Sequence, residues 1–208
     1  MHGAVPDVRK APVVASLLAL RSGENACRRC PLYKHATQAV PGQGPRTASM
    51  MLVGEQPGDQ EDKAGVPFVG PAGRMLDRAL EDAGIERSRV FITNAVKHFK
   101  HEMRGKRRLH KRPNAYEVEQ CRWWQDLERA IVKPVVIVAL GATAARSVLG
   151  RQTAIAKVRG QALPVDDGAK AFVTMHPSAL LRIKDELDKV QAYRSFVADL
   201  RRAAKAMK

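Results

Sequence analysis

The chain has 208 residues, 45% of them apolar, and carries a formal net charge of +15 with a sequence pI near 10.2. The length and the apolar content exclude a disordered tail and predict a single globular domain over residues 1–208. The excess of Lys and Arg predicts binding to a polyanion, because each phosphate that a cationic side chain neutralises releases condensed counterions. The alternative is that the charge only keeps the protein soluble.

An apolar run near the N-terminus, APVVASLLAL (11–20), follows Arg9 and Lys10 and is similar to the core of a secretory signal. It continues into Arg21 and Glu24 without a small-x-small cleavage motif, so we interpret it as an amphipathic helix. No stretch approaches the roughly 18 apolar residues that cross a membrane. We therefore expect a cytoplasmic protein that makes no membrane contact.

Four nearly continuous apolar runs predict strands that are covered on both faces. They are SMMLVG (49–54), VFITN (90–94), VVIVAL (135–140) and AFVTM (171–175). Helical patterns separate or follow them at 72–84, 115–131, 141–150 and roughly 185–206. Because strands alternate with helices, we predict a three-layer α/β/α fold around a central, mainly parallel, four-stranded sheet.

Polar segments follow three of the predicted strands. They read GEQPGDQED (54–62), NAVKHFKHEMRGKRRLHKRP (94–113) and HPSALLR (176–182). The carboxyl ends of parallel strands meet at one edge of a sheet, where ligands bind, so these segments predict an active site at that edge. The chain has no GxxxxGK[ST] or GxGxxG motif, and we expect no nucleotide cofactor.

The three cysteines predict a metal or cluster site, because thiols in a reducing compartment serve as ligands more often than as disulfides. Cys27 and Cys30 form a CxxC unit, Cys121 is the third thiol, and His98 or His101 is the nearest candidate for a fourth ligand. The spacing fits both a Cys3His zinc site and an iron–sulfur cluster with one imidazole ligand. A redox pair and a buried apolar cysteine are the alternatives.

Five ordered motifs cover most of the chain. They are CRRCPLYKHATQAVPGQG (27–44), MMLVGEQPGDQEDKAGVPFVGPAGRMLD (50–77), FITNAVKHFK (91–100), CRWW (121–124) and MHPSALLR (175–182). Together they resemble the motifs of the iron–sulfur uracil-DNA glycosylases of family 4. Two departures resemble the UdgX subgroup: His98 stands where family 4 enzymes usually carry a cysteine, and GKRRLH (105–110) is similar to the KRRIH loop, with Leu109 in place of Ile.

The resemblance implies a cofactor, a substrate and a covalent step. It implies a [4Fe–4S] cluster held by Cys27, Cys30, His98 and Cys121, with zinc as the alternative. UdgX proteins become covalently attached to uracil-containing DNA through the loop histidine, which is His110 in this chain. We expect single-stranded DNA as the partner, and the size of the chain favours a monomer.

Removing uracil requires a pocket that accepts a base turned out of the stack and reads its edge. We predict that Phe68 stacks on the base, that Asn94 pairs with its imide edge, and that His176 donates a hydrogen bond to the leaving uracil oxygen. Gly54 lets the backbone approach the ligand closely. A core ring, a turn-capping amide and a structural histidine are the respective alternatives.

The sugar cation left by uracil must be captured by a nucleophile. Glu55, Gln56 and Asp59 are predicted to line the pocket and position that nucleophile, and Gln56 is larger than the residue usual in family 4, which crowds out water. If His110 lies over the sugar C1′, its neutral imidazole competes with water, and Glu55 takes up its other ring proton or holds its tautomer. Alkylated imidazole leaves poorly, which predicts a single turnover.

The stretch 97–112 holds eight Lys or Arg against one Glu, and Gly105 and Pro113 predict a loop that grips phosphates. The residues predicted to contact or wedge the DNA are Lys106, Arg107, Arg108, Ser178, Leu180, Leu181 and Arg182. A turnover-competent family 4 glycosylase, in which His110 only binds DNA, is the main alternative function. A non-catalytic, metal-stabilised module that binds single-stranded nucleic acid is the alternative from another class.

Overall fold

The computed structural model describes residues 16–207. Its main sheet has five strands in the order β2-β1-β5-β7-β6. The strands are β1 (Met50–Gly54), β2 (Val90–Asn94), β5 (Val136–Leu140), β6 (Leu163–Pro164) and β7 (Lys170–Thr174). The four predicted strands are all present and pair in parallel, which confirms the fold class.

The predicted number of strands is wrong, because β6 adds a fifth, antiparallel to β7. A two-residue strand is too short to produce a hydrophobic pattern. Pro164 also lacks a backbone N–H, which restricts it to the edge of a sheet. At the opposite edge Gln43 exchanges backbone hydrogen bonds with Ile92 of β2, which covers that side of the sheet.

Helices lie on both faces of the sheet. They are α1 (Leu17–Asn25), α2 (Asp59–Ala64), α3 (Pro71–Asp82), α4 (Ala115–Val132), α5 (Ala142–Leu149), α6 (Ile155–Val158), α7 (Pro177–Leu180) and α8 (Glu186–Lys205). The four long helical predictions match α3, α4, α5 and α8. Part of the predicted N-terminal helix matches α1, whereas residues 11–15 lie outside the described residues. No helix within residues 16–207 is long and apolar enough to cross a bilayer.

The side chains of β1 show why three layers form. Met50 and Leu52 pack in one apolar cluster, with residues of α3 and α8, whereas Met51 and Val53 pack in a second cluster, with residues of α5. Successive side chains of a strand point to opposite faces, so a continuous apolar run needs cover on both sides.

The basic segment forms a β-hairpin, and the prediction of an irregular loop is wrong. Strands β3 (His101–Arg104) and β4 (Arg107–His110) pair antiparallel, with His101 opposite His110. Gly105 makes the turn with φ of 59°, a left-handed conformation that glycine adopts without strain. The charged residues hide the hairpin in the sequence, because they show no alternation of apolar and polar positions.

Candidate active site

A pocket of about 380 Å³ lies at the carboxyl edge of the sheet, where the three polar segments meet. The register places the end of β1 directly beside the end of β2, with Gly54 opposite Asn94. Leu140 of β5 pairs in the same way with Thr174 of β7, which leads into His176. The pocket brings together eight of the predicted site residues: Gln56, Asp59, Phe68, Asn94, His110, His176, Ser178 and Leu181.

Phe68 and Asn94 approach each other over Gly54. A Cβ atom on Gly54 would lie 2.3 Å from Asn94 Oδ1 and 2.5 Å from the Phe68 ring, so no larger residue fits. Phe68 has φ of 57°, which strains a non-glycine residue by roughly 1–3 kcal/mol. Its ring is buried and lies 6.0 Å from the His176 ring, between centroids. The loop therefore holds Phe68 in a costly conformation that presents its ring to the pocket.

The side-chain oxygen of Asn94 has no hydrogen-bond partner among the described residues, although the side chain is buried. A buried carbonyl without a partner costs roughly 1–3 kcal/mol. Because Asn94 lines the pocket, a ligand N–H donor would remove this cost. The turn-capping alternative has no support, because the amide oxygen accepts no backbone hydrogen bond from residues 16–207.

His176 is the N-cap residue of α7, and its Nδ1 accepts a hydrogen bond from the backbone N–H of Ser178 at 3.2 Å. The Ser178 hydroxyl lies 2.8 Å from the same nitrogen. Burial lowers the pKa of His176 to about 4, so the ring is neutral at pH 7. With Nδ1 as the acceptor, the proton of the neutral ring is on Nε2, which is then a hydrogen-bond donor.

His110 is half-exposed at the end of β4, with its Nε2 3.4 Å from Glu55 Oε1. The other Glu55 oxygen accepts a hydrogen bond of 2.5 Å from the Thr143 hydroxyl and lies 3.8 Å from Nε of Arg112. Thr143 and Arg112 thus contact Oε2 of the Glu55 carboxylate, whereas Oε1 faces the His110 imidazole. Thr143 is not part of any motif singled out in the sequence, although its position in the first turn of α5, directly after a buried strand, is a signal for it.

Gln56 connects the two ends of the hairpin to β1. Its side-chain N–H donates to the backbone oxygens of Lys100 and Lys111, each at 3.1 Å, and its oxygen accepts from the Lys100 backbone N–H at 3.0 Å. These contacts use the amide to position the hairpin. Because the Gln56 amide already makes these three hydrogen bonds, it has little remaining hydrogen-bonding capacity to orient a nucleophile.

Asp59 and Arg108 form an ion pair beneath the hairpin. Arg108 Nε lies 2.5 Å from Asp59, and its Nη1 lies 2.6 Å from the buried carboxylate of Asp62. A hydrogen bond from Lys63, together with Arg108, lowers the pKa of Asp59. The prediction that Arg108 binds a DNA phosphate is therefore corrected, because its guanidinium is mostly buried against two carboxylates. Asp59 likewise anchors the hairpin.

The remaining residues predicted to contact DNA divide into two groups. Leu180 is fully buried in the core, so its predicted contact with DNA is wrong. Leu181 is 44% exposed and lines the pocket, and Lys106, Arg107 and Arg182 are exposed. Their contacts with DNA stay predictions.

The three thiols share one buried, apolar region between α1 and α4. Cys27, Cys30 and Cys121 belong to a cluster with Leu20, Leu32, Val96, Val118 and Trp124. The Trp124 indole N–H donates to Cys27 Sγ at 3.1 Å, and the Lys97 backbone N–H donates to Cys121 Sγ at 3.2 Å. Burial raises the pKa of Cys121 to about 12, so a thiolate there requires a positive partner. N–H donors aimed at sulfur fit metal-bound thiolates.

His98 is buried next to Lys97 in the chain, and burial lowers its pKa to about 4. The ring is neutral at pH 7 and chemically able to bind a metal. His101 stacks instead on Phe99, with centroids 5.0 Å apart, and lies in the hairpin. Within residues 16–207 no three Cys, His, Asp or Glu side chains are close enough to hold a single metal ion. The donor types fit a cluster, whose ligands are spread more widely than those of one zinc ion.

Sequence comparison places this geometry in a family. The Uracil DNA glycosylase superfamily matches residues 41–201. A type-4 uracil-DNA glycosylase of Thermotoga maritima is 36% identical over 178 residues, which cover 82% of this chain and 89% of that protein. One from Pyrobaculum aerophilum is 39% identical over 163 residues, 75% of this chain and 80% of the relative. A type-5 enzyme of the same organism is 31% identical over 182 residues, 79% and 76% of the two chains. The chain belongs to the uracil DNA glycosylase superfamily.

Proposed function

We propose that the chain is a uracil-DNA glycosylase that excises uracil from DNA and then attaches covalently to the abasic deoxyribose C1′ through His110. One observation carries the proposal. The half-exposed His110 ring lies 3.4 Å from the Glu55 carboxylate and lines the same pocket as the buried Asn94 oxygen, which has no partner within residues 16–207. Relatives named type-4 uracil-DNA glycosylases support the excision step.

Recognition of the base depends on Asn94 and Phe68. The Asn94 oxygen accepts the imide N–H of uracil, and its amide N–H donates to the adjacent carbonyl. Cytosine has no imide N–H, so it leaves the buried oxygen without a partner. Phe68 stacks on the flipped base, a contact worth roughly 1–3 kcal/mol.

Cleavage depends on His176. As the C1′–N1 bond breaks, its electron pair goes to the uracil ring and positive charge develops on the sugar. The neutral His176 ring donates its Nε2–H to the developing uracil oxyanion. A preorganised donor of this kind lowers the barrier by roughly 3–4 kcal/mol.

Capture of the sugar depends on His110 and Glu55. The lone pair of the imidazole nitrogen that does not face Glu55 forms a bond to C1′, and the ring becomes positively charged. The Glu55 carboxylate stabilises that charge or accepts the proton from the nitrogen that faces it. The resulting N-alkyl imidazole is a poor leaving group, so the protein is consumed after one turnover.

A denaturing gel tests the proposal. The protein is incubated with a labelled single-stranded oligonucleotide that carries one uracil, and with a matched oligonucleotide that carries thymine. We expect a heat- and detergent-resistant band with uracil alone, and His110→Ala is expected to abolish this band while still releasing uracil. His101→Ala changes the histidine directly opposite in the hairpin and serves as the matched control.

The other outcomes favour the alternatives. Free uracil without a resistant band identifies a turnover-competent family 4 glycosylase, in which Glu55 orients water; this alternative agrees equally well with the relatives. Neither release nor a band identifies a module that only binds single-stranded nucleic acid. Crosslinking by His110→Ala would contradict the assignment of the nucleophile.

We also propose that Cys27, Cys30, Cys121 and His98 hold a [4Fe–4S] cluster, which ties the N-terminal segment to α4 when bound. The N–H donors to two of the thiols support a bound, charged group. We expect a brown protein with broad visible absorbance and with iron and sulfide in equal amounts. Zinc without visible absorbance would identify the alternative. His98→Cys is expected to keep the cluster, and His98→Ala to lose it.

Single-stranded DNA is the expected substrate, because a base in a single strand is turned out without breaking a base pair. Adduct yields on matched single- and double-stranded oligonucleotides test this preference. A monomeric, cytoplasmic protein remains our prediction. Gel filtration of the purified protein tests its monomeric state.

A further inference from the structure

The β3–β4 hairpin presents a large apolar side chain in a charged surface. Met103 is 61% exposed and belongs to none of the three apolar clusters of the described residues. Single exposed apolar residues are common on protein surfaces. What distinguishes Met103 from these residues is its position relative to His110.

The hairpin register places Met103 on the same face as His110. Met103 pairs with Arg108, and the next pair with the same orientation is His101 with His110. Met103 is therefore the diagonal neighbour of His110, at a Cα separation of about 7–8 Å in this type of pairing. One stacked nucleotide rises about 3.4 Å per strand, so this Cα separation corresponds to roughly two stacked rises from the sugar at His110. Because the long Met103 side chain can cover part of that distance, the base next to the uridine is within its reach.

Cationic side chains surround Met103 at the tip of the hairpin. Arg104, Lys106 and Arg107 are exposed at the tip of the hairpin, and within the described residues none of them lies within 4.0 Å of a carboxylate. Opposite Met103, the Arg108 guanidinium is turned into Asp59 and Asp62. The tip thus combines cations for phosphate with a polarisable thioether, which packs favourably against aromatic rings.

We propose that Met103 packs against the base next to the flipped uridine, so that the hairpin binds a second nucleotide of the same strand. This inference rests on the proposed function, because it needs a DNA strand in the pocket. It assigns the hairpin a contact with the neighbouring base in addition to the delivery of His110.

Equilibrium binding tests the contact. The probe is a fluorescent single-stranded oligonucleotide with one 2′-fluoro-2′-deoxyuridine, whose fluorine slows glycosidic cleavage. Two further probes replace the 5′ or the 3′ neighbour by a tetrahydrofuran spacer that has no base. We expect Met103→Ala to weaken binding about fivefold on the first probe and to leave it unchanged on one of the two spacer probes.

Two variants complete the test. Met103→Leu keeps most of the apolar contact and is expected to restore binding to within about twofold of the wild type. Leu187→Ala removes an apolar side chain that is 82% exposed on α8 and is expected to have no effect. An equal loss for Met103→Ala on all three probes, or no loss on any, overturns the inference.

Uracil release from ordinary deoxyuridine is measured separately in the wild type. Its absence contradicts the proposed function, whereas the binding ratios decide the role of Met103 whether or not cleavage occurs. The two failures are therefore distinguishable.

Discussion

Two buried polar groups lie close together in the segment 94–98, and they differ in whether they have hydrogen-bond partners among the described residues. On the pocket side, the Asn94 oxygen has no partner among the described residues. On the core side, the fully buried Lys97 ammonium contacts Thr93 Oγ1, the Asn94 backbone oxygen at 3.2 Å and Glu128 at 2.7 Å. The difference indicates that the Lys97 contacts stabilise the fold, whereas the Asn94 oxygen is available to a ligand.

This contrast predicts that core variants change stability whereas pocket variants change activity at nearly constant stability. The largest effect is expected from Lys97→Met, which leaves the Glu128 carboxylate buried without its cation. The free energy of unfolding should fall by about 3–5 kcal/mol. Chemical denaturation measures the change.

The matched control for this variant is Lys63→Met. Lys63 makes a similar lysine–carboxylate pair with Asp59, but its side chain is 64% exposed. Its loss should change stability by less than about 1 kcal/mol. Equal effects of the two variants would contradict the contrast.

His176→Ala should reduce the rate of uracil release by about 10²–10³-fold, because it removes the neutral Nε2–H donor. Thermal unfolding should change little. Ser178→Ala is the control: the backbone N–H of Ser178 still donates to Nδ1, so the tautomer is kept and the rate should fall less than tenfold. Single-turnover release assays measure both variants, and a wild-type rate for His176→Ala would exclude its role.

Asn94→Ala should reduce uracil release by about 10–100-fold, corresponding to roughly 1–3 kcal/mol for the lost imide contact. The fold should gain or keep stability, because the variant removes a buried oxygen that has no partner in the part of the chain that the structure describes. Slower uracil release with an unchanged or higher denaturation midpoint would support the distinction between the pocket side and the core side. A strongly destabilised variant would show that Asn94 belongs to the core side.

The pH dependence is expected to be smaller. The pKa of His176 is lowered from 6.5 to about 4, so folding favours the neutral ring. Its stabilising contribution is present above pH 6.5 and is lost as the pH falls toward 4. We expect a loss of about 2–3 kcal/mol over that window, which His176→Gln should reduce. Urea denaturation at pH 7 and pH 4.5 measures the difference.

The sequence predicted the parts of the structure that depend on local patterns. Continuous apolar runs located β1, β2, β5 and β7, and the polar segments after them located the pocket. It did not predict β6 or the hairpin, because a two-residue strand and a charged hairpin show no periodic pattern.

Side-chain roles that depend on partners far apart in the chain could not be predicted from the sequence either. Arg108 reads as a phosphate ligand until the carboxylates of Asp59 and Asp62 are placed beneath it. Thr143 and Glu55 are 88 positions apart, and only the neighbouring β1 and β5 bring them together. Leu180 is an apolar residue of the kind that can insert between DNA bases, but it lies in the core.

The two ends of the sheet bear on how copies of the chain meet each other. An open strand edge is a template on which another chain can continue the sheet. Here Gln43 occupies the backbone groups of Ile92 at one end, and the short β6 ends in Pro164 at the other. A second copy of the chain therefore finds few free backbone groups at the two edges of the main sheet. This protection against edge-to-edge pairing favours a dispersed protein even at high concentration.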